Sequence, residues 1–233
     1  MNAMTSTVHV VEDEPAVLRS LMRVLSSAGL RVRGYESPHE LLSQIDGTVS
    51  GCIVLDLCLP GMTGLDLQEQ LVRNGCMQPV VFVTGNADVT ASVRALRAGA
   101  LDFLIKPVEA EALLESVHEA LERSATELRK RINRSVLEQR AAMLTSRERQ
   151  VFQGVVSGLL NKQIAAQFGV SEKTIKVHRG RVMHKMGAHT VAQLVRMSDQ
   201  LRSCDEQDVS WEEWPGLQQI MKTGAAVSES LAD

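Results

Sequence analysis

The sequence predicts an α/β domain on a doubly wound five-stranded parallel sheet, then a helical linker and an all-α domain of four helices. Three observations carry this. Residues 1–108 alternate short apolar runs with amphipathic stretches. Residues 109–143 contain neither proline nor glycine. Residues 141–203 read as short capped helices separated by glycine turns, and hold 10 basic against 3 acidic groups.

In the first region, 8–11 reads as a strand and 15–27 as a helix with Pro15 in its first turn, ended by Gly29. A weaker strand covers 30–35. Ser37 and Pro38 open a short helix, and Glu40 sits where it completes a capping box. The apolar run 52–55 is a third strand, followed by a helix over 64–73. A strand over 79–83, a helix from Asp88 to about Gly99 and a strand over 103–105 complete the pattern. Runs this apolar fit a parallel sheet covered on both faces. Such a sheet gathers its functional groups outside the carboxyl ends of its strands.

From Glu109 to about Met143 we expect one long or slightly interrupted helix. Leu113, Val117, Ala120, Leu121, Leu128, Ile132 and Val136 give it an incomplete apolar stripe. Glu119–Arg123 and Glu127–Arg131 pair across one turn in the favourable direction. A surface helix and a partial coiled coil both fit, and the heptad is too irregular to favour the coil.

Thr145 and Glu148 form a second capping box, and Val151, Phe152, Val155 and Val156 give that helix a buried face. Gly158 ends it. Asn161 opens a helix to Phe168, Gly169-Val170 turns the chain, Ser171 caps a third helix to Met186, and Thr190 caps a fourth. Helix, glycine turn and a helix with a basic face make the helix-turn-helix pattern. On the third helix Ile175, Val182 and Met186 share the inward face. Lys173, Lys176, Val177, Gly180 and His184 face outward, flanked by Thr174 and Arg181. Gly180 costs up to about 1 kcal/mol relative to alanine in a helix interior. Close approach to DNA and simple tolerance both explain it.

The 233 residues suit two domains, and 44% apolar with 23% charged residues argues against wholesale disorder. The N-terminus lacks a basic segment followed by an apolar stretch, and no apolar run reaches membrane-spanning length. We therefore expect no secretory leader, no membrane and a cytoplasmic location. Cys52, Cys58, Cys76 and Cys204 form no metal-ligand spacing, and the first three lie in or beside apolar runs that favour buried free thiols. The net charge of −3 divides into −3 over 1–108, −1 over 109–140, +7 over 141–203 and −6 over 204–233. A compact +7 segment is the footprint of a nucleic-acid-binding module, though charge alone fits a basic solvated face equally. The acidic tail, with Trp211 and Trp214, reads as disorder; a docking motif or an autoinhibitory lid is the alternative.

Glu12 and Asp13 follow the first strand, Asp56 the third, Thr84 the fourth and Lys106 the fifth, so the fold gathers them in one crevice. Three carboxylates this close repel, and a hard divalent cation with oxygen ligands is the usual remedy. Asp56, central and followed by a turn, is best placed to form an aspartyl phosphate. Lys106 would pair with one phosphoryl oxygen, and the Thr84 hydroxyl and Gly85 N–H would donate to another. A phosphatase of the haloacid dehalogenase type would need a second aspartate two residues on, where this chain has Cys58.

Glu12-Asp13, Val-Leu-Asp56-Leu-Cys-Leu-Pro-Gly-Met-Thr-Gly, Val-Thr84-Gly and Asp-Phe103-Leu-Ile-Lys106-Pro107 resemble, over residues 7–122, the motif set of receiver domains. Leu144-Thr-Ser-Arg-Glu, Asn161-Lys-Gln-Ile-Ala and Val170-Ser-Glu-Lys-Thr-Ile-Lys-Val-His-Arg resemble a LuxR-type helix-turn-helix over 141–203. Together, with 123–140 as linker and 204–233 as tail, they resemble two-component response regulators of the FixJ/NarL class, closest to the FixJ-type subgroup. The resemblance implies that a sensor histidine kinase phosphorylates Asp56, that Mg²⁺ is held by Glu12, Asp13, Asp56 and the Cys58 backbone carbonyl, and that Thr84 and Phe103 switch together. A Lys–Pro bond here is often cis in such proteins. Glu-Asp stands where many relatives have Asp-Asp, a change that bears on metal affinity. It also implies that Lys176 and Val177 approach bases while Thr174 and flanking basic residues grip phosphates, within a DNA-binding set that also includes Lys173, His178, Arg179, Gly180 and Arg181. Val191, Leu194 and Val195 would form a dimer face, or core of their own domain. The implied partners are promoter DNA, RNA polymerase and, once phosphorylated, a second copy. The expected function is regulation of transcription, by activation as the commoner outcome, not enzymatic catalysis. A constitutive DNA-binding regulator that needs no phosphate is the alternative.

Overall fold

The computed structural model describes residues 6–85 and 89–202, the side chains of 89–92 and 202 excepted. Asp88 and the acidic tail, with Cys204, Trp211 and Trp214, lie outside the described residues. The chain divides into two compact units, Met1–Ser135 and Val136–Asp233.

The first unit runs β1 (Thr7–Val11), α1 (Pro15–Ser27), β2 (Arg31–Tyr35), α2 (Pro38–Gln44), β3 (Gly51–Asp56), α3 (Gly64–Arg73), β4 (Val80–Thr84), α4 (Val89–Arg97), β5 (Asp102–Ile105) and α5 (Ala110–Ala142), whose last residues enter the second unit. The strands form one sheet in the order β2-β1-β3-β4-β5, and every pairing is parallel. β3, wholly buried, is central, so Asp56 leaves the sheet between β1 and β4. Alternate strand residues feed two cores. Val8, Val10, Cys52, Val54, Val81 and Val83 pack with Leu18, Leu21 and Leu25 of α1 and with Leu113, Val117 and Ala120 of α5. Val11, Ile53, Leu55 and Phe82 pack with Leu41, Leu67, Leu71 and Ala95 of α2, α3 and α4. Burial on both faces is what the continuous apolar runs require.

The caps explain where the helices start. Thr63 and Asp66 make a reciprocal capping box at α3. At α2 the Ser37 hydroxyl accepts from the Glu40 N–H, but Glu40 Oε2 accepts from the Glu36 N–H, so the expected box closes one residue early. Gly64 has no room for a side chain: a Cβ would lie 2.4 Å from the Asp56 carbonyl oxygen.

The second unit holds the end of α5, then α6 (Ser146–Val156), α7 (Asn161–Phe168), α8 (Glu172–Met186) and α9 (Val191–Arg202). The Thr145–Glu148 box forms as expected, and the α7–α8 turn passes through Gly169 at φ +63°, a left-handed position that suits glycine. The Ser171 hydroxyl accepts from the Thr174 N–H to start α8. Val151, Phe152, Ile164, Ile175, Val182, Met186 and Leu194 form the core. Leu194 is thus buried in its own unit and Val191 packs against the same core, which takes Leu194 off any exposed dimer face. Of the three residues expected there, Val191 and Val195 are left, both half-buried.

Candidate functional site

The carboxyl ends of β1, β3, β4 and β5 bring the predicted acidic site together. Glu12 and Asp56 are buried and Asp13 is exposed. One carboxylate oxygen from each of the three lies within 4.8 Å of the others. The last residues of β5 send Lys106 across them: its Nζ donates to Glu12 Oε2 at 2.7 Å and to Asp56 Oδ2 at 2.8 Å. The lysine backbone is fixed too, its N–H donating to the Thr84 carbonyl at 2.8 Å, and Lys106-Pro107 is a cis peptide.

The electrostatics follow from burial and charge. Burial, the largest influence, raises the Glu12 carboxyl above its ordinary range; Asp56 pushes the same way and Lys106 opposes both. Burial works against the Lys106 ammonium, but its bonds to Asp56 and then Glu12 outweigh that and lift its pKa above that of ordinary lysine. Asp56 Oδ1 accepts from the Cys58 N–H at 3.1 Å, so the loop after β3 orients the carboxylate. The Cys58 side chain is exposed, against the expectation of a buried thiol: it lies past the strand, whereas Cys52 lies within it and is pushed up to about 12 by burial. Three hard oxygen donors with an ammonium already between two of them fit a small divalent cation such as Mg²⁺.

Around this cluster Thr84 is fully buried and Gly85 is exposed, with nothing within 4 Å of where its Cβ would stand. Phe103 is half-buried, its ring 6.4 Å from that of Phe82 and packed against the core beneath α3 and α4. Behind it Asp102 accepts from the Phe103 N–H at 2.7 Å and from the Ser116 hydroxyl, fastening β5 to α5. The sequence gives no sign of that fastening. It is equally silent on His9, whose Nδ1 is 2.8 Å from the Tyr35 hydroxyl and whose burial, with Arg33 nearby, lowers its pKa to about 4.

In the second unit α8 presents Lys173, Thr174, Lys176, Val177, Gly180, Arg181 and His184 to solvent. Val177 keeps 49% of its surface among these polar and basic side chains. His178 and Arg179 are half-buried. Arg179 donates to Asn161 Oδ1 at 2.9 Å, which turns it toward α7 and makes it a brace between the two helices. Arg147 stacks 4.4 Å over the Phe168 ring and donates to the Phe168 carbonyl, bracing α6 against α7. No helix among the described residues is long and apolar enough to cross a membrane.

Comparison with known proteins agrees with this division. Residues 8–118 match the response regulator receiver domain, and 142–198 match the luxR family of bacterial regulatory proteins. The chain is 42% identical over 196 residues to Nodulation protein W of Bradyrhizobium diazoefficiens, covering 83% of this chain and 86% of that one. It is 41% identical over 191 residues to the transcriptional regulatory protein FixJ of Azorhizobium caulinodans, covering 82% and 90%. The solved structure of the response regulator StyR superposes with a TM-score of 0.77 at 40% identity, covering 84% of this chain and 98% of that one. Full-length FixJ from B. japonicum gives 0.53 at 33% identity, covering 84% and 97%.

Proposed function

Since the chain belongs to the two-component response regulators that join a receiver domain to a LuxR-type DNA-binding domain, we propose that Asp56 is its phosphoacceptor and that phosphorylation controls its binding to promoter DNA. The observation that carries this is Lys106 lying between the Asp56 and Glu12 carboxylates, at the place where the charge of a phosphoryl group would need an ammonium.

An Asp56 carboxylate oxygen attacks the phosphorus of a phosphohistidine on a sensor kinase; the P–O bond forms as the P–N bond breaks. Glu12, Asp13, Asp56 and the Cys58 carbonyl would hold Mg²⁺, which when bound offsets charge on the phosphoryl oxygens. Lys106 pairs with one of those oxygens, and the Thr84 hydroxyl and Gly85 N–H donate to another. Thr84 moving toward the phosphoryl group lets Phe103 turn further into the space beside Phe82. That reshapes the face of α4, β5 and α5, and two receivers pair. Paired modules then read half-sites about one helical turn, roughly 34 Å, apart, through Lys176 and Val177 of α8, and regulate transcription in the cytoplasm with RNA polymerase. On this reading 7–122 is the receiver, 123–140 the linker and 141–203 the DNA-binding domain.

The test is selection of duplexes from a random pool by the purified chain, with and without acyl phosphate and Mg²⁺. One motif enriched only with the phosphodonor supports the switch. The same motif in both arms makes the protein a constitutive binder. Asp56→Asn must lose labelling by the acyl phosphate; labelling at the wild-type level would sink the assignment.

A further inference from the structure

The carbonyls at the C-terminus of a helix have no partner inside it. At the end of α8, Arg140 of α5 supplies one: its Nη1 donates to the Met186 carbonyl at 3.0 Å. Lys185 of α8 returns the contact, donating from Nζ to the Met143 carbonyl, one residue past α5, at 3.0 Å. The same ammonium reaches Glu148 Oε2 at 2.7 Å. Each helix end is therefore held by a basic residue of the other. Gly187 leaves the room for this, at φ +69° with a built Cβ only 2.6 Å from Arg140 Nη1. The helix that carries Arg140 also carries Ser124, whose Oγ accepts from the Gly51 N–H at the start of β3, 3.0 Å away.

We propose that Arg140 is a positioning residue for DNA reading, fastening the recognition helix α8 to α5 so that α5 sets the face α8 offers. The proposal rests on α8 being the reading helix and, for its regulatory part, on Asp56 being the switch. Arg140 meets α8 at its last residue, about 20 Å along the axis from Lys173. It is half-buried with its guanidinium on a protein carbonyl, so it acts through α8 and not as a phosphate contact.

The experiment compares full-length wild type, Arg140→Ala and Arg140→Lys on a duplex selected by the wild type and on a random duplex of equal length, with and without acyl phosphate and Mg²⁺. Arg140→Ala should lose about tenfold in affinity for the selected duplex, the scale of a typical coupling, together with its gain on phosphorylation. Affinity for the random duplex and the salt slope should stay as in wild type, because no phosphate contact is removed. Arg140→Lys should restore most of the loss. Wild-type discrimination in Arg140→Ala overturns the proposal, and so does an equal loss on both duplexes, which would mark a merely structural role. A wild type that does not respond to acyl phosphate sinks the Asp56 reading alone; the ratio of selected to random affinity in Arg140→Ala still decides on Arg140.

Discussion

Lys106 Nζ is 2.8 Å from Asp56 Oδ2, and this bond joins the end of β5 to the end of β3 across the mouth of the acidic site. Both groups are largely removed from water, so deleting the ammonium leaves the Asp56 and Glu12 carboxylates uncompensated. Lys106→Met should lower the thermal midpoint of the receiver, and added Mg²⁺ should raise it by more than it raises the wild type. A thermal-shift titration with Mg²⁺ reads both. An equal Mg²⁺ response in the two proteins would show that the lysine does not share the carboxylates with the cation.

Gly64 is the tightest point behind that site. Besides the Asp56 carbonyl at 2.4 Å, a Cβ there would meet Phe82 Cε1 at 2.9 Å and Leu57 Cα at 3.0 Å. Two of the three are backbone atoms that cannot swing away. Gly64→Ala should destabilise the fold by about 1–3 kcal/mol, as overpacking does, and slow labelling of Asp56 by displacing its strand end. Urea unfolding and the rate of acyl-phosphate labelling measure the two effects.

How much of this the sequence discloses depends on range. Strands, helices and their caps follow from local patterns, and the acidic site follows because a parallel sheet places strand ends together. What stays hidden is made by atoms far apart in the chain. Nothing local to Arg140 or Met186 marks their bond, because one partner is a backbone carbonyl that every residue has. Asn161 reads as the start of a helix and Arg179 as a DNA-side residue, yet the two bond to each other across the turn. Leu194 fits an amphipathic stripe equally well as dimer face or as core, and only the packing of α6 and α8 decides for the core. Cys58 follows an apolar strand closely enough to look buried, but the strand ends at Asp56.

Glu148 gives a prediction in pH. It is buried beside Lys185, whose bond, with the Thr145 N–H, holds its carboxyl down from 4.5 to about 2. A carboxyl lowered in the fold binds protons more tightly when unfolded. Its stabilising contribution is therefore complete above pH 4.5 and fades as pH falls toward 2. Glu148→Gln should be less stable than wild type at neutral pH, and the gap should close across that window. Amide exchange in α6 as a function of pH follows it in the full-length chain. A gap that stayed constant with pH would mean the pair contributes through shape and not charge.

Gly180 separates two readings of the outward face of α8. No atom lies within 4 Å of where its Cβ would be, and its φ is not in the left-handed region, so alanine fits without strain. As an exposed glycine inside a helix it is costly, and Gly180→Ala should stabilise the fold by about 0.5–1 kcal/mol. If the bare Cα is where a base edge or phosphate comes close, the same change should weaken binding to the selected duplex while the thermal midpoint rises. The two readouts then move in opposite directions, which a folding defect cannot produce. We expect that outcome, because Gly180 is exposed on the same surface as Lys173, Lys176 and Val177. A thermal midpoint that rises with unchanged affinity would make the glycine a tolerated residue and place the DNA nearer the N-terminal turns of α8.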